Sequence, residues 1–241
     1  MKRRARRITA FISFLLFPIT LNFFSPYVSI DGALNGIISG SLIVFLIMFL
    51  TGLFFGRAWC SYVCPWAAPS EYLQAVNNRP VNRKHLAVLR YAIFGFWFGA
   101  VIVSFLLAGG IRGINPLHLT ETGVSVDVPL KYITYYMVVL LLFLLTWLIG
   151  RRGACHAICW MSPFLVAGTW LGRKLRMPQF KVYSETEKCI ACGKCTRDCP
   201  MSIDVEQEQK AGLVASFDCI LCGNCVDVCP KDVLKIKASR H

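Results

Sequence analysis

The chain contains the run Cys189-Ile-Ala-Cys-Gly-Lys-Cys-Thr-Arg-Asp-Cys-Pro200 and, 30 positions further on, the run Cys219-Ile-Leu-Cys-Gly-Asn-Cys-Val-Asp-Val-Cys-Pro230. Both follow the spacing Cys-x2-Cys-x2-Cys-x3-Cys-Pro, with which bacterial two-cluster proteins bind [4Fe-4S] centres. A zinc ribbon needs two pairs of ligands separated by a loop, and four cysteines this close together do not provide them. The two runs therefore predict one-electron transfer through two [4Fe-4S] clusters.

The spacing also predicts how the eight cysteines are shared, because the fourth cysteine of such a run binds the cluster of the other run. The first cluster is expected on Cys189, Cys192, Cys195 and Cys229, and the second on Cys219, Cys222, Cys225 and Cys199. Short strands are expected at 180–183 and 233–237, on either side of the two runs. Ile190 and Ile220 occupy equivalent positions and are expected to exclude water from the clusters.

Composition divides the chain in two. Of its 241 residues 56% are hydrophobic and 16% are charged, which is too apolar for an ordinary soluble domain. Four stretches, 8–30, 34–55, 86–110 and 132–149, approach or exceed the roughly 20 apolar residues that a membrane span requires. We therefore expect a membrane all-α four-helix bundle in residues 1–172, a linker in 173–181, and an α+β double [4Fe-4S] ferredoxin module in 182–241.

Basic residues are concentrated on one side of these expected spans. They are frequent at the N-terminus, between the second and third spans and after the fourth, whereas the two opposite connections contain only Arg112 and Lys131. The positive-inside rule then predicts a multi-pass protein of a prokaryotic inner membrane with both termini in the cytoplasm. Because this pattern accounts for most of the net charge of +13, no nucleic-acid partner is expected.

A second group of cysteines follows the second and fourth expected spans. Each span leads into Gly-Arg, a short gap and Cys-x3-Cys, which gives Cys60 with Cys64 and Cys155 with Cys159. Residues i and i+4 share one face of a helix, and a pseudo-twofold axis between the two repeats would bring the four thiols together. A further iron–sulfur or metal centre, redox-active thiols without metal, and simple packing of small apolar side chains all remain possible. Disulfides are not expected on the reducing side of the membrane.

Several charged residues near these motifs allow two interpretations. Arg57 and Arg151 either stabilise thiolate or cluster charge or serve only as topology anchors. His156 is a candidate ligand, although an interfacial histidine is the simpler interpretation. His118 and Glu121 are candidates to receive protons from a quinol, but a solvated loop is again the simpler interpretation.

Glycine and proline positions predict local features of the apolar part. Small-x3-small patterns at 36–40, 52–56 and 95–99 are candidates for close helix crossings in lipid. Pro18 and Pro26 are expected to bend the first span or to mark its end.

The order of these parts resembles the NapH/MauN-type membrane ferredoxin proteins, a quinol-oxidising component family associated with periplasmic nitrate reductase. The matching residues are Trp-Cys-Ser-Tyr-Val-Cys-Pro at 59–65, Ile-Asn-Pro at 114–116, the motif at 155–159 and the two cysteine runs. The resemblance covers nearly the whole chain. One departure is that the second Cys-x3-Cys reaches a proline only at Pro163, which leaves that half of the four-cysteine group less well matched. NosR-like and CcoG-like proteins share the membrane pattern, so the pathway stays open.

The resemblance implies a membrane-anchored electron-transfer subunit, a possible quinol dehydrogenase component, that oxidises quinol and passes electrons to a partner reductase system. The membrane lipid, the quinone pool and a ferredoxin-like or periplasmic reductase subunit are then its expected partners. Two alternatives remain: a redox maturation factor for a respiratory metalloenzyme, and a relay from a low-potential donor into the membrane. The sequence contains no c-type haem motif, dinucleotide fingerprint or P-loop.

Overall fold

The structure is a computed structural model and describes residues 3–120 and 123–239. The helices of the apolar part are α1 (Arg3–Leu15), α2 (Phe17–Thr20), α3 (Pro26–Leu34), α4 (Gly40–Phe55), α5 (Trp59–Tyr62), α6 (Ala67–Val76), α7 (Arg83–Leu107), α8 (Pro129–Ile149), α9 (Gly153–Ala157) and α10 (Ser162–Lys174). Two short strands, β1 (Ile37–Ser39) and β2 (Gly113–Asn115), pair in parallel between them. The C-terminal part has strands β3 (Gln179–Ser184), β4 (Leu213–Val214) and β5 (Leu234–Ser239) and helices α11 (Lys194–Arg197), α12 (Val205–Glu208) and α13 (Asn224–Asp227).

Two of the described helices are long and apolar enough to cross a membrane: α7 with 25 residues and α8 with 21. The segments Arg4–Leu15 and Phe17–Phe24 make a third candidate if together they form one span, although they are bent by 60°. Helix α4 is apolar but has only 16 residues, about 24 Å of helix against a hydrocarbon core of about 30 Å. The structure therefore contains two or three candidate spans and does not confirm the expected bundle of four.

The first expected span is interrupted near its prolines. Helix α1 ends at Leu15, and Pro18 lies in the first turn of α2, where its missing N–H group leaves no helical hydrogen bond unmade. Pro26 begins α3, whose N-terminus is capped by the Ser25 hydroxyl, which accepts a hydrogen bond from the Val28 amide. The proline prediction is confirmed, and the segment 8–30 follows a bent path.

Helix α10 was not expected from the sequence, and it packs closely against α4. A Cβ atom added to Gly168 would lie 2.2 Å from the carbonyl oxygen of Phe49, and one added to Gly172 would lie 2.4 Å from that of Leu53. Helix α6, which follows the first Cys-x3-Cys motif, packs in turn against α8. In each repeat, the helix that follows the Cys-x3-Cys motif thus packs against the helix that precedes the motif of the other repeat.

The glycine patterns behave differently from one another. Gly52 contacts α10, because its added Cβ atom would lie 2.9 Å from the Leu165 carbonyl oxygen. The pattern at 36–40 lies at β1 and next to Pro116, so it supports a turn and a loop contact. Added Cβ atoms at Gly95 and Gly99 would meet nothing within 4 Å, so the prediction of a close crossing there is wrong.

The C-terminal module is built on a three-stranded antiparallel sheet in the order β4-β3-β5. The two strands expected beside the cysteine runs are confirmed as β3 and β5. Ile220 is buried in the core of the module as expected, whereas Ile190 is 57% exposed and does not shield a cluster in this way. Strand β3 begins inside the segment 173–181, and the buried Gln179 donates a hydrogen bond of 2.8 Å from Nε2 to the Leu53 carbonyl oxygen of α4. Part of the expected linker therefore belongs to the sheet and contacts the apolar part.

Candidate electron-transfer site

Two cavities in the C-terminal module are each bordered by four cysteines. We call one group the distal set; it consists of Cys189, Cys192, Cys195 and Cys229. We call the other the proximal set; it consists of Cys199, Cys219, Cys222 and Cys225. In each set three cysteines come from one run and the fourth from the other, the same sharing that the ligand spacing gives.

The 30-residue repeat of the sequence is repeated in the backbone around these cavities. Ala191 and Leu221, which are equivalent in the two runs, both adopt a left-handed conformation with φ of 50° and 52°. Such values are uncommon for residues other than glycine and cost energy, and they concentrate at functional sites. In the first run this turn places the Ala191 amide 3.5 Å from the Cys189 sulfur atom, and Gln209 Nε2 donates to the same sulfur over 3.3 Å. Donors to cysteine sulfur are one of the means by which proteins tune iron–sulfur centres.

The donor chemistry of both sets suits an iron–sulfur cluster, because each set offers four soft sulfur ligands. Among the described residues, no three His, Cys, Asp or Glu side chains are grouped to hold a single metal ion. Burial raises the pKa of Cys199 to about 11 and that of Cys219 to about 12. These thiols therefore become ligands only when metal binding displaces their protons.

The structure brings the four cysteines of the apolar part close together, and we call them the membrane-edge quartet. Cys60 lies in α5 and Cys155 in α9, while Cys64 and Cys159 follow those helices. Burial, and then the neighbouring thiols of Cys155, Cys60 and Cys159, raises the pKa of Cys64. Three members, Cys64, Cys155 and Cys159, border one cavity.

The quartet lies directly beside the proximal set. Cys60 packs against the hydrophobic core that contains Cys199 and is bordered by the other proximal cysteines. The buried Ser61 hydroxyl donates a hydrogen bond of 2.8 Å to the carbonyl oxygen of Ile220, within the second run. Cys192 of the distal set is exposed. The three groups are therefore arranged in the order quartet, proximal set, distal set, from the apolar helices to an open face of the module.

Buried arginines join the two parts at this junction. Arg57 Nη1 lies 2.6 Å from Asp218 Oδ1, and Arg90 Nη2 lies 3.2 Å from the same oxygen. Asp218 directly precedes the first cysteine of the second run, so these ion pairs connect α7 and the end of α4 to the proximal set. Arg152 pairs with Glu71 of α6 over 3.4 Å. Both carboxylates have a lowered pKa even though burial opposes it, because the arginines beside them favour the charged form.

The arginines outnumber the carboxylates that pair with them. The buried members are Arg6, Arg57, Arg90, Arg151 and Arg152. The Nε atoms of Arg57 and Arg152 are buried without a hydrogen-bond partner, as is Nε2 of His156. Buried charges are stable only when they are compensated, at a cost of several kcal/mol otherwise. An anionic cluster with thiolate ligands would supply this compensation, since Arg57 lies near Cys60 and Arg152 lies near Cys155. The residues around the junction therefore fit an iron–sulfur cofactor.

The structure also places the remaining sequence candidates. His156 is 1% exposed, and burial lowers its pKa, so this histidine lies in the protein interior. Arg151 Nη1 donates to the carbonyl oxygen of Cys199 over 3.3 Å, a contact beyond that of a topology anchor. His118 Nε2 lies 2.7 Å from Asp31 Oδ2. Glu121 lies outside the described residues.

Sequence reasoning missed both carboxylates of the junction, Glu71 and Asp218. Glu71 is the one acidic residue between Asp31 and Glu121, within a stretch that is otherwise apolar and basic. Such an isolated acid is a signal for a buried ion pair, since a lone charge in an apolar segment needs a partner. Asp218 carries no comparable signal, because acidic residues are frequent in the module around it.

Comparisons with known proteins agree with this site. Residues 181–230 match a family described as a 4Fe-4S dicluster domain, and residues 38–83 match one described as a 4Fe-4S binding domain. The second match includes Cys60 and Cys64. No solved structure matches the chain.

Curated relatives are more distant but extend across both parts. The chain is 25% identical over 192 residues to the putative electron transport protein YccM of Escherichia coli. This alignment covers 75% of this chain and 52% of that protein. It is 28% identical over 182 residues to the methylamine utilization ferredoxin-type protein MauN of Methylobacillus flagellatus, with 73% and 60% covered, and 26% identical over 184 residues to MauN of Paracoccus denitrificans, with the same coverage. The chain thus aligns with about half to three fifths of the length of these relatives.

The fold, the cysteine sets and these matches define a ferredoxin-type 4Fe-4S electron transport protein. Within that class the chain is similar to the MauN-type ferredoxin proteins, which supports the resemblance that its motifs predict. The candidate spans indicate a membrane protein.

Proposed function

We propose that this protein is a membrane-anchored electron carrier that oxidises quinol and passes single electrons from the quartet to the proximal set and then to the distal set. The observation that carries the proposal is the order of these three cysteine groups between the apolar helices and the open face of the module. Each of the proximal and distal sets holds one [4Fe-4S] cluster, and the quartet holds a further iron–sulfur or metal centre. The receiving partner is a soluble redox protein that meets the module at the exposed Cys192.

The residues of the chain have distinct parts in this proposal. When bound, the clusters supply one-electron acceptors and donors. Arg57 and Arg152 provide positive charge between the quartet and the proximal set, which favours the more negative, reduced state. Buried Ile220, Met201 and Val182 exclude water from the proximal set. The excess of basic residues on one side supports a topology with both termini in the cytoplasm of a prokaryotic inner membrane.

Anaerobic reduction of the purified holoprotein by a short-chain quinol tests this function. We expect the visible absorption of the clusters to bleach and the EPR signals of reduced [4Fe-4S] centres to develop, with an iron content of about eight atoms per chain for two clusters and more if the quartet also binds iron. Clusters that are reduced by dithionite but remain oxidised with quinol would contradict the proposal.

The reverse direction of flow has one observation in its favour, namely that the exposed distal set is open to a soluble low-potential donor. Midpoint potentials distinguish the two directions, because each 59 mV is a tenfold bias for one electron. Midpoints near those of quinones support quinol oxidation. Midpoints hundreds of millivolts lower support a relay from a low-potential donor into the membrane.

A further inference from the structure

A cavity of about 380 Å³ lies beside the quartet and is separate from the two cluster cavities. One of its walls is a single face of α8, formed by Lys131, Thr134, Val138 and Leu142 at intervals of three or four residues. These positions span about 16 Å of helix. The cavity is therefore elongated along the candidate span.

The two ends of this cavity differ in chemistry. One end is bordered by Cys64, Cys155 and Cys159 of the quartet. The other end is bordered by polar side chains, among them Ser125 and Lys131, and the Lys131 ammonium group lies 2.5 Å from Asp127 Oδ1. A largely apolar cavity with a few polar groups suits a flat, weakly polar ring that carries an apolar tail.

The ring of Phe17, the ring of Phe24 and the side chain of Val138 contribute to the apolar walls. The helices that carry them also expose large apolar side chains, as expected where helices face lipid. The walls of the cavity therefore belong to helices whose outer faces suit contact with lipid.

We propose that this cavity is the quinol site of the electron carrier, with the quinol ring at the end formed by Cys64, Cys155 and Cys159. This inference rests on the proposed function and adds to it the place where the substrate binds. Oxidation of the quinol to the quinone releases two electrons and two protons. The two [4Fe-4S] clusters accept one electron each by way of the quartet, and the protons leave to water along the polar end, past Thr134 and Lys131.

Substitution of Val138 by tryptophan fills the middle of the cavity and tests the assignment. Leu141→Trp is the matched control, because Leu141 is on the same helix, is 51% exposed and does not border the cavity. We expect Val138→Trp to slow quinol-driven cluster reduction by at least about tenfold, since the indole takes up space that the bound quinol needs in the middle of the cavity, and Leu141→Trp to leave it unchanged. Iron content and reduction by dithionite stay at wild-type levels in both variants.

Leu142→Trp is a second variant that blocks the cavity. It is used if the Val138→Trp protein cannot be purified with its clusters bound. Binding of a photoreactive short-chain quinone gives an independent readout, with label expected on α8 in the wild-type protein and lost in Val138→Trp and Leu142→Trp.

The failures of the two proposals are distinguishable. If quinol does not reduce the wild-type clusters, quinol oxidation itself is wrong. If quinol reduces the wild-type protein and both blocked variants at the same rate, only the assignment of the cavity is overturned. The wild-type protein could also co-purify with phospholipid that the blocked variants lose, while those variants still oxidise quinol. This result would show that the cavity binds lipid, and it would overturn the assignment as well.

Discussion

At the residue scale, the junction between the two parts depends on buried positive charge. Arg57, Arg90 and Arg152 are almost fully buried, and Asp218 and Glu71 compensate them only in part. Positive charge held close to an iron–sulfur centre stabilises its reduced form, because reduction adds negative charge. The arginines that mark the topology in the sequence are therefore expected to act on the redox potential too.

Replacement of Arg57 by glutamine is predicted to lower the midpoint potential of the proximal cluster by about 50–150 mV, since it removes a buried positive charge that pairs with Asp218, next to Cys219. Arg57→Lys is the control and should restore most of the potential. Potentiometric EPR titration of both variants measures the shift. An unchanged midpoint in Arg57→Gln would show that the arginine acts only in docking or topology.

The distal set offers a complementary test at Gln209, whose amide donates to the Cys189 sulfur over 3.3 Å. Loss of a hydrogen bond to a ligand sulfur disfavours the reduced cluster. Gln209→Met is predicted to lower the midpoint of the distal cluster by some tens of millivolts, about 1 kcal/mol, and to leave the proximal one in place. Ser184→Ala is the control, because it removes the hydrogen bond at the other end of the same amide. Equal shifts in both clusters would contradict the assignment of the two sets.

At the element scale, close packing of α4 and α10 positions both Cys-x3-Cys segments. The two helices approach closely because Gly52, Gly168 and Gly172 have no side chains at the crossing. Helix α10 leads directly into β3, so this crossing also determines where the iron–sulfur module lies.

Gly168→Ala is therefore predicted to destabilise the protein by about 1–3 kcal/mol, because the new methyl group would overlap the Phe49 carbonyl oxygen. Gly99→Ala is the matched control in α7, where an added Cβ atom meets nothing within 4 Å. Thermal unfolding in detergent, followed by loss of cluster absorption, compares the two. A Gly168→Ala protein as stable as Gly99→Ala would show that the helices can separate without cost.

Some of these elements could be predicted from the sequence and others could not, for physical reasons. The strict ligand spacing of the cysteine runs predicts the sharing of cysteines between the two cavities, since that spacing is local. Helix α10 was missed because its 13 residues are too short for a span and its stability comes from contact with α4. The bend after Leu15 was indicated by Pro18, but neither the 60° angle nor the shortness of α4 is encoded in hydropathy alone.

At the scale of the whole molecule, the protein contains three groups of cysteines in series. Apolar helices border the quartet, the quartet contacts the proximal set through Cys60 and Ser61, and the distal set reaches the surface at Cys192. The pair formed by His118 and Asp31 lies in connections between the expected spans, far from the module in sequence, and is not part of this series. In the function proposed above, this arrangement makes the proximal set the obligatory link between the membrane and the partner.

The most direct test of this order compares Cys222→Ser, in the proximal set, with Cys192→Ser, in the distal set, by EPR after reduction with quinol and separately with dithionite. We predict that Cys192→Ser still allows quinol to reduce the proximal cluster. In Cys222→Ser the distal cluster should be reduced by dithionite but no longer by quinol, because its link to the membrane is broken. Rapid reduction of the distal cluster by quinol in Cys222→Ser would contradict the central claim that electrons pass through the proximal set.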